Sequence, residues 1–162
     1  MDLTYDGTLR ELSSDSGVLH YHEAGEGPPL LFLHGSGPGV TGWRNFRGIL
    51  GTVDGHFRCL ILEFPGFGVS DDFGGHPMVT AFGAVGTFVD ALGLDSVDIV
   101  GNSMGGGVGI SYAIRQPAKV RRLVTIGGIG TNVFTPGPSE GIRLLQARDG
   151  TRQNDRTGGR GR

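Results

Sequence analysis

"LLFLHGSGPGVTGWRNF", Leu30 to Phe46, is an apolar run that breaks into glycines and resumes as a helix-forming stretch. Its reading decides the fold. Gly37, Gly39 and Gly42 satisfy G-x-G-x-x-G, and Glu63 stands 21 residues beyond Gly42, closing the apolar run "CLILE". Taken literally, this is a dinucleotide-binding fingerprint with an acid placed for a ribose hydroxyl. The same stretch also suits a loop whose backbone N–H groups stabilise an oxyanion.

A second motif separates the two readings. "GNSMGG", Gly101 to Gly106, fits G-x-S-x-G, with the strand-like "VDIV" before it and a helical pattern after it. That setting is the one a nucleophile elbow requires. The turn is tight enough that the positions flanking Ser103 must be nearly free of side chain, which accounts for Gly101 and Gly105. The helix opening at Met104 aims its unpaired N–H groups at the point where negative charge would develop. Gly106, Gly107 and Gly109 are expected to let that helix approach the sheet. An elbow serine needs a second oxyanion donor from the loop after an earlier strand, and "HGSGPG" stands there. The N–H groups of Ser36 and Met104 then converge on one oxygen, with Gly35 and Gly37 keeping side chains away from it. A dinucleotide site would have to tolerate Pro38 inside its glycine turn and "PGFG" directly after Glu63. The loop is read as an oxyanion loop.

The rest of the chain has a regular organisation. "GVLHYHEAG" alternates like a half-exposed strand. "PPLLFLHG", "FRCLILEF", "SVDIVGNS" and "VRRLVTIGG" are short apolar runs bounded by turn residues, as in strands buried on both faces. Helix-like stretches lie between them. In "PMVTAFGAVGTFVDALG" the residues Met78, Phe82, Val85, Val89 and Leu92 share a face, with Gly93 as the stop. "MGGGVGISYAIRQP" ends at Pro117, which cannot continue a helix. Strand–helix alternation argues for an α/β fold with a largely parallel sheet.

Composition bounds the partners. At 162 residues and a net charge of −2, the chain suits about one domain and shows no nucleic-acid signature. The N-terminus lacks the apolar core of a signal peptide, and no run approaches the length of a membrane span, so a cytoplasmic location is expected. Cys59 is the single cysteine; it reads as a core residue and fits a reducing compartment. No metal-ligand spacing occurs. Of 14 basic residues only Lys119 is lysine, and five arginines fall within residues 146–162. Ala147 is the one apolar residue in that segment, which is therefore expected to be disordered.

The quoted motifs resemble the α/β-hydrolase superfamily, and within it the meta-cleavage product hydrolases, which cut carbon–carbon bonds in ring-fission products. "HGSGPGVTGWRNF", "FPGFGVSD" and "GNSMGG" carry the likeness, and "FTPGPSEGIRLL", Phe134 to Leu145, resembles the start of that branch's cap domain. The resemblance implies an incomplete hydrolase core over residues 1–133 with strands one to six, the start of a cap over 134–145, and an unrelated tail over 146–162. It implies Ser103 as nucleophile, Ser36 and Met104 as oxyanion donors, and Asn45 and Asn102 as polar residues holding the substrate. Asn45 is alternatively a helix cap, and Asn102 alternatively a residue that tolerates the strained turn. The implied substrates are 2-hydroxy-6-oxo-hexa-2,4-dienoates of aromatic or steroid catabolism, small molecules cleaved without a cofactor. A homo-oligomer is compatible with a complete chain.

One departure stands out. The family's triad runs Ser, Asp, His, yet His20, His22, His34, His56 and His76 all precede Ser103, and only Asp149 and Asp155 follow it. His34 is expected to brace the oxyanion loop and His76 to be a surface residue. The chain is therefore read as a truncated member, inactive by itself, with a shifted reading frame as the suggested origin of its ending. The alternatives are an esterase or haloperoxidase-like enzyme, or a non-catalytic binding module. Dehalogenase and epoxide-hydrolase branches are disfavoured because they place aspartate at the elbow.

Overall fold

The computed structural model describes residues 3–127. The cap-like stretch Phe134–Leu145, the arginine–glycine segment 146–162, Asp149 and Asp155 lie outside the described residues, as does the expected boundary at 133.

A single helical turn, α1 (Tyr5–Thr8), leads into β1 (Leu9–Ser14) and β2 (Gly17–Ala24). There follow β3 (Pro29–Leu33), α2 (Gly42–Val53), β4 (Arg58–Leu62), α3 (Pro77–Ala91), β5 (Val97–Asn102), α4 (Met104–Arg115) and β6 (Val120–Ile126). The six strands form one sheet in the order β1-β2-β4-β3-β5-β6. β3 pairs in parallel with β4 and β5, and β5 with β6, while β1 and β2 are antiparallel additions at one end.

Alternation along the central strands builds two cores. Leu30 and Phe32 point to one face, where Phe46 and Leu50 of α2 meet them together with Cys59 and Ile61. Leu31 and Leu33 point to the other, packing with Leu60, Leu62, Val85, Phe88, Val89 and Val108. This period of two is why "LLFL" and "CLIL" carry no polar residue: each strand is covered on both faces. Helix α2 buries Gly42, Phe46 and Leu50, a stripe repeating every four residues.

The five strands read from apolar runs are all present. β1 was not foreseen, because only Leu12 of "LRELSS" is buried and so its pattern carries little apolar signal. In α3 the buried face is Ala81, Ala84, Val85, Phe88 and Val89. Of the face expected from sequence, Val85 and Val89 are buried, while Met78, Phe82 and Leu92 are only partly buried against the core, and Phe88 takes a central place. Gly93 has φ +63 just past the helix end, the left-handed geometry that suits a glycine stop.

Candidate active site

β5 ends in a turn that only glycine neighbours permit. Ser103 has φ 51 and ψ −113, and it is the one non-glycine residue with positive φ among the described residues. A Cβ on Gly101 would lie 2.5 Å from the carbonyl oxygen of Gly105, and a Cβ on Gly105 would collide with the carbonyl oxygen of Leu33. The close approach of α4 to the sheet is made at Gly105 and again at Gly109, whose Cβ would sit 3.0 Å from Leu123 Cδ1. The N–H of Ser103 donates to Ile126 O at 2.9 Å, tying the turn to β6, and the N–H of Gly106 donates to Ser103 O at 3.0 Å. Although Ser103 is the N-cap residue of α4, its side chain caps nothing. The hydroxyl makes no cap bond, and the backbone that presents it is strained. The strain falls on Ser103 itself and not on Asn102, which removes the turn-tolerating alternative for that asparagine.

The loop after β3 comes up against this turn. A Cβ on Gly35 would be 3.3 Å from Ser103 Cβ, a crowded contact that glycine avoids. Gly37 has a different reason, its φ of +138. Asn45 Oδ1 accepts from the N–H of Gly35 at 3.2 Å and from Asn102 Nδ2 at 3.0 Å, joining loop, α2 and elbow. Asn45 is not the cap of α2. That place belongs to Thr41, whose side chain accepts from the Arg44 N–H at 3.1 Å. Thr41 sits where cap residues are expected, directly before the helix, and sequence reading passed over it.

His34 is fully buried, with both ring nitrogens engaged. Nδ1 donates to Gly35 O at 2.6 Å and Nε2 accepts from the Phe64 N–H at 3.0 Å. Burial lowers its pKa to about 4. It is a neutral brace of the loop, as expected. Glu63 is 1 % exposed. Its carboxylate accepts from the N–H groups of Gly42 at 2.7 Å and Trp43 at 2.9 Å, the first turn of α2. Burial raises its pKa, and these two bonds work against that rise. An acid so enclosed cannot reach a ribose hydroxyl. Its job is to anchor the positive end of α2, and Gly42 is glycine because its Cβ would lie 2.7 Å from Ile61 Cγ2.

Ser36, Gly35, Asn45, Asn102 and Ser103 line one cavity of about 310 Å³, together with Gly39, Val40, Thr41 and Arg44. Gly37 lines a neighbouring cavity instead, and the side chain of Met104 is buried in the core while its backbone opens α4. Among the described residues no histidine, aspartate or glutamate lines the Ser103 cavity. His22 is buried with Nδ1 at 2.9 Å from Thr8 Oγ1, and its pKa is also lowered to about 4 by burial. His20 meets Glu11 at 3.2 Å. His76, expected as a plain surface residue, is the exposed cap of α3, its Nδ1 accepting from the Met78 N–H. Arg44 is the lining residue that sequence reading did not single out. No helix among the described residues is long and apolar enough to cross a membrane, and no group of three or more potential metal ligands occurs among them.

Comparison with known proteins agrees with this geometry. The alpha/beta hydrolase fold family matches residues 28–157. The chain is 41% identical over 134 residues to a 2-hydroxy-6-oxo-6-phenylhexa-2,4-dienoate hydrolase of Comamonas testosteroni, covering 79% of this chain and 46% of that one. It is 40% identical over 154 residues to a 2-hydroxy-6-oxononadienedioate/2-hydroxy-6-oxononatrienedioate hydrolase of Klebsiella pneumoniae, covering 89% and 54%. Among solved structures, a meta-cleavage product hydrolase from Pseudomonas fluorescens superposes with a TM-score of 0.72 at 31% identity, covering 76% and 46%. The chain thus spans about half the length of the curated relatives it matches.

Proposed function

This chain belongs to the alpha/beta hydrolase family, and we propose that it carries the nucleophile-bearing part of a carbon–carbon hydrolase acting on 2-hydroxy-6-oxo-hexa-2,4-dienoate-like compounds. The observation that carries the proposal is Ser103, held at φ 51 between two obligate glycines with its hydroxyl uncapped at the cavity edge. The relatives' names supply the substrate class.

In this reading the Ser103 oxygen attacks the ketone carbon of the ketonised substrate while its proton passes to a histidine supplied by the longer chain. Collapse of the oxyanion breaks the carbon–carbon bond, the leaving dienolate takes that proton, and water then releases the carboxylic acid from the acyl-serine. The N–H groups of Ser36 and Met104 stabilise the oxyanion that forms, a contribution of about 10² to 10³ in rate per donor. Asn45 uses its carbonyl oxygen within the protein, leaving its amide hydrogens for the polar end of the substrate. The described residues lining the cavity include no general base. Removing the base from a serine triad costs on the order of 10⁶ in kcat, roughly 8 kcal/mol of transition-state stabilisation. The 162-residue chain is accordingly proposed to be inactive alone, its activity belonging to a longer chain that brings an aspartate and a histidine.

The test is a chimera in which this chain, through residue 127, is joined to the C-terminal half of the Comamonas relative. Loss of the coloured dienoate by the chimera, with slower turnover of simple activated esters, supports the carbon–carbon reading. Ester turnover with an untouched dienoate would favour an esterase.

A further inference from the structure

Beside the Ser103 cavity lies a larger one, of about 630 Å³, which the chemistry above does not use. Its volume is that of a small-molecule site. Its walls are Tyr5, Trp43 and Phe67 with Val69, and Arg44 and Arg47 one helical turn apart on α2. Val40, Thr41 and glycines complete the lining, and among the described residues no acidic side chain is part of it. Among the described residues neither arginine has a carboxylate partner. Arg44 Nη1 donates only to Gly39 O at 3.0 Å, and Arg47 has no side-chain hydrogen bond or ion pair. The other five arginines of the described residues behave differently or lie elsewhere; Arg58, Arg121 and Arg122, for instance, face Glu23 or Asp98.

The aromatic walls are fixed in place. Trp43 stands edge-on to Tyr5 with ring centroids 5.7 Å apart, and rests against His22 at 4.6 Å. Phe67 packs edge-on against the buried His34 at 4.9 Å. A rigid aromatic pocket with two forked cations and no internal anion suits a flat apolar body ending in a carboxylate, because guanidinium groups bind carboxylates through paired hydrogen bonds. Gly39, Val40, Thr41 and Arg44 line both cavities, so the two adjoin.

We propose that this cavity is a second ligand site, taking the carboxylate of an aromatic or conjugated acid between Arg47 and Arg44, with the apolar body against Trp43, Tyr5 and Phe67. The site stands independently of whether Ser103 is a nucleophile. Two acids share this chemistry, an aromatic carboxylic acid and a dienoate, and they are separable by titration.

Trp43 is the only tryptophan of the chain, so its fluorescence reports on this wall directly. The 162-residue chain is titrated with benzoate, with hexa-2,4-dienoate, and with benzamide as the uncharged match. A saturable change with either acid is expected, weakened by added salt and at least about tenfold weaker with benzamide. The tighter of the two acids identifies the source. Arg47→Gln, an exposed substitution checked for folding by circular dichroism, is expected to weaken acid binding about tenfold. Ser103→Ala is expected to leave the titration unchanged, since Ser103 does not line this cavity. Equal responses to benzoate and benzamide, an unaffected Arg47→Gln, or no saturable response from the folded chain would each overturn the proposal. Dienoate cleavage by the chimera alongside any of those results would leave the catalytic reading standing and remove only this site.

Discussion

The loop that follows β3 is held by several buried side chains, whereas the turn that follows β5 is shaped by the absence of side chains at Gly101 and Gly105 and tied by one, Asn102. Around the first, His34, Glu63 and Asn45 satisfy one backbone group after another, from Phe64 through Gly35 to the start of α2. Around the second, Gly101 and Gly105 let backbone meet backbone, and two long-range bonds tie it down, Ser103 N–H to Ile126 O and Asn102 Nδ2 to Asn45 Oδ1. The first of these leads to β6, whose Val124 and Ile126 are exposed among the described residues. The contrast teaches how the labour is divided. The titratable side chains that brace the β3 loop, His34 and Glu63, are both engaged in geometry, while the β5 turn keeps the Ser103 hydroxyl uncapped.

The contrast is broken most severely at Gly105. Gly105→Ala drives a methyl group into the Leu33 carbonyl, and neither backbone segment can yield. We expect a loss of about 4 kcal/mol in stability by urea denaturation. A loss below about 1 kcal/mol would mean that the elbow relaxes easily and is not packed as described.

Acid attacks the other region. His22 and His34 are buried and held at about 4, against an ordinary value of 6.5. The unfolded chain therefore takes up protons that the folded chain refuses. Stability is complete above pH 6.5 and falls as pH drops toward 4, each histidine costing about 2 kcal/mol by pH 5. Glu63, with its raised pKa, acts in the opposite sense, since the folded chain gains a proton more readily there. Two histidines outweigh one carboxyl, so the unfolding free energy from urea denaturation is expected to be higher at pH 7 than at pH 5 by up to about 4 kcal/mol, with a correspondingly higher midpoint. Equal midpoints would contradict the assignment of neutral, buried rings.

A narrower test changes Glu63 alone. Glu63→Gln keeps one acceptor for the Gly42 and Trp43 N–H groups but turns an amide donor toward the other. The expected cost is about 2 kcal/mol, measured as a shift in urea midpoint with an unchanged slope. The smallest effect has the opposite sign. A Cβ on Gly48, exposed on α2, meets nothing within 4 Å, so Gly48→Ala is expected to stabilise by about 0.5 to 1 kcal/mol. Side by side with Gly105→Ala, it separates glycines that the fold requires from glycines that it merely carries.

These particulars show what the sequence could disclose. The elbow was legible because its constraint is local: G-x-S-x-G after a strand admits few backbones, and Gly101 and Gly105 record the collisions that larger residues would suffer. β3 to β6 were legible because burial on both faces leaves unbroken apolar runs. β1 was not, since a strand with one buried residue resembles any polar segment. Glu63 was visible as an oddity, but its partners lie 20 and 21 residues away, a separation that also mimics a dinucleotide fingerprint. Only the fold distinguishes a helix anchor from a ribose ligand. Asn45 was singled out for substrate, with capping as the alternative. The structure gives the cap to Thr41 and places Asn45 between Gly35 and Asn102, a connection across 57 residues that no local pattern encodes.

The central proposal is that Ser103 is a nucleophile with no base among the described residues around it. The direct measurement is the turnover of a 2-hydroxy-6-oxo-hexa-2,4-dienoate and of an activated ester by the 162-residue chain and its Ser103→Ala variant, each also in the chimera. The account predicts that Ser103→Ala leaves the negligible rates of the short chain unchanged, and that it lowers kcat of the chimera on the order of 10⁶-fold. Serine-dependent turnover by the 162-residue chain at ordinary enzyme rates, about 1 to 10³ per second, would contradict it by showing that this chain supplies its own base.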